Sequence, residues 1–261
     1  MRKITVFILL CSFVSTFSWS QNKTKRPVSI VYIGNSITQG VLIEKPELNA
    51  PPVQSSNYLS ELPDIELKGY SNQGVSGMTT VDFLPAQQTL FPKVSEAAES
   101  FSKDKKALLI FSIMLGTNDS AIKGPNGSLV SPVQYFTNLQ VIINELLSAF
   151  PNAVFVLHRP IWYSSNTYNG AMYLQEGLDR LESYSNELDR LITAYAQTHP
   201  QHVFKGDMEA FEYFKTNYHT ELVPEKGNAG IFYLHPNESG AAKLGIFWGK
   251  AIYNTIKNNQ L

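Results

Sequence analysis

The sequence predicts an α/β protein, a three-layer α/β/α sandwich built around a parallel sheet. Three features predict it. Apolar runs short enough to be strands alternate along the chain with segments of helical period. One of these runs, residues 107–115 (ALLIFSIML), is apolar almost throughout, as a strand covered on both faces must be. The runs also end in clusters of Gly, Asn, Ser and Thr: Gly34-Asn35-Ser36, residues 72–77, and Gly116-Thr117-Asn118-Asp119. Polar chemistry is therefore expected along the carboxyl edge of the sheet, where open α/β sheets bind ligands.

The first strand is read from Val28, Ile30, Val31 and Ile33, with Gly34 allowing a sharp turn where it stops. Residues 41–54 contain Pro46, Pro51 and Pro52. Proline disfavours the interior of a helix, so a loop is expected there, followed by a short helix over 56–62. Residues 65–71 read as the second strand, and 80–101 as a helix broken near Pro85 and Pro92. The third strand is 107–115. An amphipathic helix over 132–150 carries Phe136, Leu139, Ile143, Leu147 and Phe150 at steps of three or four. Residues 153–157 make the fourth strand. It leads through Arg159-Pro160 into an aromatic loop, 161–173, which holds Trp162, Tyr163, Tyr168 and Tyr173. In the next helix Leu174, Leu178, Leu181, Tyr184, Leu188, Leu191 and Tyr195 share one face. A weak fifth strand (202–205), a short helix (208–214) and a closing helix (239–256, with Asn237 as N-cap) complete the order. No linker or repeat interrupts it, so residues 21–261 are expected to form a single domain.

Composition narrows the function. The chain has 261 residues, 43% hydrophobic and 16% charged, with a formal net charge of −1. Such a balance offers no basic field for nucleic acid. Residues 1–20 read as a secretory signal. Arg2 and Lys3 precede an apolar stretch too short to span a bilayer, and Ser18-Trp19-Ser20 has the small-x-small pattern of a cleavage site. The sole cysteine, Cys11, lies inside this stretch and follows Leu10 rather than the small residue a lipid-anchor signal wants. The mature chain is thus expected to be secreted or periplasmic, free of a membrane anchor and free of disulfides. No Cys/His cluster or HExxH pattern points to a metal, and no GxGxxG or phosphate-binding loop points to a nucleotide. No cofactor is expected.

The strand-end clusters carry the chemistry. A serine at such an edge is a nucleophile if the chain also supplies a base and fixed donors for an oxyanion. Four stretches are candidates to supply them: GNSIT around Ser36, NQGVSGMTT around Gly77, LGTND around Asn118 and LHPNESG around His235. In these four blocks, in this order, the chain resembles the SGNH hydrolases, also called GDSL esterases. The resemblance covers nearly the whole mature chain. It implies a flavodoxin-like parallel sheet and a carboxylic ester hydrolase that acts through an acyl-serine. Ser36 would be the nucleophile and His235 the base. The Ser36 N–H, the Gly77 N–H and the Asn118 side-chain amide would form the oxyanion hole.

One position departs from the family pattern. Three residues before the histidine, where the family carries an aspartate, stands Phe232, and no aspartate follows Asp207. A backbone carbonyl could orient His235, giving a Ser-His dyad, or a glutamate such as Glu225 or Glu238 could replace the acid. Asn35, His158, Arg159, Trp162 and Tyr163 are candidates for substrate contacts. The other histidines, His199, His202 and His219, are expected to have surface roles. Aromatic rings beside Asn and Ser suit stacking on sugars, and the same rings could simply pin the loop to the body. With the signal and the family likeness, the loop points to a glycan or small-molecule ester as substrate, most simply a carbohydrate acetyl ester. A non-catalytic glycan-binding protein on the same scaffold, or a lipid or thioester hydrolase, is the alternative.

Overall fold

The computed structural model describes residues 24–261. The signal-like stretch and Cys11 lie outside the described residues. The elements follow in order: β1 (Arg26–Gly34), α1 (Ser36–Gln39), α2 (Pro46–Asn49), α3 (Pro51–Ser60), β2 (Ile65–Gly74), a 3-10 turn (Pro85–Gln87), α4 (Phe91–Ser102), β3 (Leu108–Met114), α5 (Pro132–Ala149), β4 (Val154–Leu157), α6 (Leu174–Thr198), β5 (Val203–Lys205), α7 (Ala210–Glu221), β6 (Leu222–Gly227), β7 (Gly230–Pro236) and α8 (Glu238–Asn258).

Strands β1 to β5 form one parallel sheet in the order β2-β1-β3-β4-β5. Every residue of β3 and β4 is buried, so the sheet is covered on both faces. The order fixes where the helices go. The step from β1 to β2 runs one way along the sheet and the later steps run the other. With right-handed crossovers, α3 therefore lies on the opposite face from α4, α5 and α6. Helix α8 packs beside α3, and its Trp248 lies against Tyr32 of β1, ring centroids 6.2 Å apart. The Tyr32 hydroxyl in turn donates to Ser55 of α3 at 3.0 Å. This is the expected three-layer sandwich.

Several elements differ from the sequence reading. Pro46, Pro51 and Pro52 do not preclude helices; they begin them, sitting at the first positions of α2 and α3. A proline costs nothing there because that N–H has no intrahelical partner. Residues 80–84 are turns, not helix, and α4 begins only at Phe91. The short helix expected at 208–214 runs on to Glu221 as α7, and a two-stranded antiparallel hairpin, β6–β7, follows it where no strand was expected.

The hairpin is held from two sides. Ser164 in the loop after β4 accepts from Tyr233 N–H at 2.8 Å and donates its own N–H to the Tyr233 carbonyl at 2.9 Å. On the other side Asn237, which caps α8, donates its side-chain amide to the Thr220 carbonyl at 2.8 Å.

Candidate active site

The carboxyl ends of β1, β2 and β3 converge. Asn35, buried, caps α1 by accepting the Ile37 N–H at 3.0 Å. Ser36 opens that helix. Helix α1 can lie across the strand ends because Gly34 and Gly74, register partners on β1 and β2, present no side chains to it. A Cβ at Gly74 would lie 2.4 Å from the Gln39 nitrogen. Gln39 then accepts the Ser76 N–H at 2.7 Å, and this bond ties the serine helix to the loop that carries Gly77. Gly77 has φ +78° and open space around its missing side chain.

The hairpin brings the histidine. His235 Nε2 lies 2.9 Å from Ser36 Oγ, across 199 residues of sequence. Its Nδ1 lies 2.9 Å from Glu225 Oε1, and the same carboxylate oxygen accepts the His235 main-chain N–H at 3.3 Å. A carboxylate on Nδ1 selects the tautomer with hydrogen there and leaves Nε2 free to accept the serine proton. Phe232, at the position of the family aspartate, is buried and stands opposite Glu225 in the hairpin register. The carboxylate therefore comes from the neighbouring strand instead of the same one. The carbonyl-oriented dyad does not describe this geometry, and Glu238, exposed at the start of α8, makes no bond to the imidazole.

Asn118 is buried on the third side. Its Nδ2 donates to the Met78 carbonyl at 2.9 Å, and its Oδ1 accepts from the Tyr173 hydroxyl at 2.7 Å. Ser36, Gly77, Asn118, Tyr173 and His235 line one cleft of about 480 Å³. Its far wall is built of small residues, Gly124, Pro125, Gly170 and Ala171, with Asn169 as the polar side chain, from two loops. Those loops are bonded to each other through Met172 and Lys123. A larger groove, about 670 Å³ between the end of β5 and the C-terminal half of α8, contains none of these residues. The smaller cleft is the one that joins the serine, the histidine and the amide groups.

A family model described as GDSL-like lipase/acylhydrolase matches residues 32–243, which span every one of these side chains. The chain belongs to the GDSL-like lipase/acylhydrolase family. It is accordingly a carboxylic ester hydrolase. No curated protein sequence matches this GDSL-like hydrolase significantly. Solved structures do. An acetyl-xylooligosaccharide esterase from Geobacillus stearothermophilus matches at 18% identity and TM-score 0.56, over 88% of this chain and 96% of that one. Est24, a carbohydrate acetylesterase from Sinorhizobium meliloti, matches at 15% identity and TM-score 0.56, over 87% and 98%. A two-domain esterase active on acetylated mannans matches at 15% identity and TM-score 0.50, over 90% of this chain. This GDSL-like hydrolase spans about half, 49%, of that last protein. At such identities the likeness is one of fold.

The remaining candidates of the GDSL-like hydrolase lie elsewhere. His158 is a core histidine. Its Nδ1 accepts the Asp207 N–H at 2.9 Å, its Nε2 meets Ser112 Oγ at 2.9 Å, and its ring lies against Trp248. Burial lowers its pKa to about 3, so it is neutral, and with Nδ1 accepting, Nε2 carries the hydrogen and donates to Ser112. This buried Ser-His pair faces no cleft. Arg159 lies over the Phe211 ring, 3.6 Å from its centroid, and beside Glu212. Asn35 is occupied as a cap. Trp162 is buried against Tyr218, and Tyr163 is fully buried with its hydroxyl on Ser120 Oγ at 2.9 Å. Trp162, Tyr163 and Tyr173 therefore pin the aromatic loop to the body, and Tyr168 alone of its four rings is half-buried. Sequence reasoning missed Tyr173 as part of the site. Nothing in its spacing signals that its hydroxyl reaches Asn118. For the hairpin the sequence holds only a turn-like Gly227-Asn228-Ala229-Gly230, since its first flank contains Pro224 and shows no apolar run.

Among the described residues no group of three or more His, Cys, Asp or Glu side chains is placed to hold a metal ion, and no helix is long and apolar enough to cross a membrane.

Proposed function

We propose that this protein is a secreted carbohydrate acetylesterase that works through an acyl-Ser36 intermediate. The observation that carries the catalytic reading is the continuous chain Ser36 Oγ, His235, Glu225, with 2.9 Å at each step. Ser36 Oγ attacks the ester carbonyl while His235 Nε2 takes its proton; Glu225 steadies the imidazolium. The negative charge that develops on the carbonyl oxygen is held by the Ser36 and Gly77 N–H groups and the Asn118 Nδ2. The tetrahedral species collapses, the C–O bond to the alcohol breaks, and His235 returns the proton to the leaving sugar hydroxyl. Water then repeats the cycle on the acyl-enzyme and releases the acid and free Ser36.

The substrate class rests on other support. The cleft, about 480 Å³, is lined mainly by small residues and amide or hydroxyl groups and carries no long apolar channel side chains beyond Leu234, which suits a short acyl group rather than a fatty chain. Solved structures of this fold act on acetylated xylooligosaccharides and acetylated mannans. Export rests on the signal pattern of residues 1–20. Against a non-catalytic glycan-binding role stands Glu225, which supplies a carboxylate to Nδ1 although Phe232 occupies the position of the family aspartate.

The test is acetate release from acetylated xylan and acetylated mannan, and turnover of a chromogenic acetate ester, by wild type and Ser36→Ala. Wild type is expected to release acetate, and Ser36→Ala to lose turnover by at least about a thousandfold. Glycan binding with no acetate release by wild type overturns the acetylesterase reading, and turnover by Ser36→Ala overturns the acyl-serine.

A further inference from the structure

We propose that Tyr173 is a positioning residue for the oxyanion hole, holding the Asn118 amide in the orientation that aims its second N–H into the cleft. The inference rests on the reading of Ser36 and Asn118 given above and extends it to a residue outside the four family blocks.

The geometry is a clamp on both ends of one amide. The Met78 carbonyl can only accept, so it selects the Nδ2 end of Asn118, 2.9 Å away. The Tyr173 hydroxyl then donates to Oδ1 at 2.7 Å. Held at both ends, the amide plane cannot rotate about χ2, and the Nδ2 hydrogen not used by Met78 keeps its direction. An oxyanion donor is effective because it is aimed before charge develops, so that no reorganisation is needed at the moment of reaction.

Tyr173 is itself fixed. It is 3% exposed and immediately precedes the 25-residue helix α6. Its N–H donates to the Thr167 carbonyl at 3.1 Å, and its carbonyl accepts from Gly177 at 2.8 Å. Its ring meets Tyr163 edge-on, centroids 5.3 Å apart. Tyr163 bonds to Ser120, two residues beyond Asn118. The aromatic loop thus grips the β3 end at two points, and one of them is the amide donor. Burial holds the Tyr173 hydroxyl far above its ordinary pKa, so it remains a donor at any working pH. Removing that hydroxyl leaves Oδ1 without its buried donor and frees the amide to turn toward other partners.

Tyr173→Phe keeps the ring and its packing and deletes only the hydroxyl. It is expected to lower kcat about tenfold or more on a chromogenic acetate ester, with KM within about twofold, because the donor acts on the transition state. Unchanged kcat, or a rise in KM alone, overturns the proposal. A double-mutant cycle separates positioning from a general structural effect. If Tyr173 works through Asn118, Tyr173→Phe has no further effect on kcat in an Asn118→Ala background. Multiplicative losses overturn it. Ser36→Ala, assayed in parallel, distinguishes the failures. Turnover by Ser36→Ala sinks the underlying site, whereas an inactive Ser36→Ala with multiplicative losses in the cycle sinks only the role of Tyr173.

Discussion

At the scale of single residues, the proposed mechanism turns on the carboxylate that lies 2.9 Å from the imidazole Nδ1. Glu225→Gln preserves shape but puts an amide against Nδ1, where its NH2 group can favour the wrong tautomer. The corresponding Asp→Asn change in serine proteases costs about ten-thousandfold. Glu225→Gln is therefore expected to lower kcat by roughly a hundredfold to ten-thousandfold, whereas Glu238→Gln stays within about twofold of wild type. Steady-state kinetics on one ester checks both. Asp119 gives a second prediction. It is fully buried and accepts from both the N–H and the hydroxyl of Thr80, yet burial raises its pKa to about 6. In the unfolded chain the same carboxyl ionises near 4. Its contribution to stability is complete below about pH 4 and is lost as pH rises to about 6, because the fold resists the charge. Asp119→Asn cannot titrate. The Tm of wild type relative to this variant should fall from pH 4 to 6.5 and then level off; a flat difference across that range refutes it. Asp207 is raised to about 6 by the same cause and shapes both proteins equally.

At the scale of elements, the sequence announced whatever is buried on a regular period. The apolar run of β3 and the leucine and tyrosine face of α6 are such signals, and the ends of β1, β2 and β3 were legible because turns need Gly and Asn. The hairpin was not legible in that way. Strand β6, LVPEKG, contains a proline and alternates buried with exposed positions, so it shows no apolar run. Glu225 and His235 are ten residues apart and become neighbours only across strands. The prolines of α2 and α3 mislead for a different reason: proline disfavours a helix interior, and these stand at helix starts. The fit of α1 over the paired glycines predicts a further outcome. In Gly74→Ala the new Cβ would meet backbone at 2.4 Å from Gln39 N and 2.7 Å from Thr38 C. Backbone cannot swing aside as a side chain can, so α1 must shift. A loss of about 1–3 kcal/mol is expected, with activity down at least about tenfold as Ser36 moves off line. Gly170→Ala, where nothing lies within 4 Å, should leave Tm unchanged. Thermal melts and initial rates on the two variants check the contrast.

At the scale of the whole molecule, the five parallel strands gather pieces from distant stretches of sequence along one edge, and the layer of helices on each face makes that edge rigid. Export can be tested chemically. The chain has one cysteine, Cys11, inside the signal-like stretch. Exported protein cleaved after that stretch should titrate no thiol and melt at the same temperature with or without reductant, while uncleaved protein should titrate one thiol. A thiol found on exported protein contradicts cleavage.

The two arms of the β6–β7 hairpin carry the imidazole and its carboxylate partner together, while the serine belongs to a different part of the fold. Were the hairpin to break its bonds to Ser164 and tilt as a body, Glu225 and His235 would still travel as one while the gap to Ser36 widened. The proton acceptor would stay primed through such a tilt. In the proposed mechanism, proton transfer from Ser36 would then depend on the separation between hairpin and sheet.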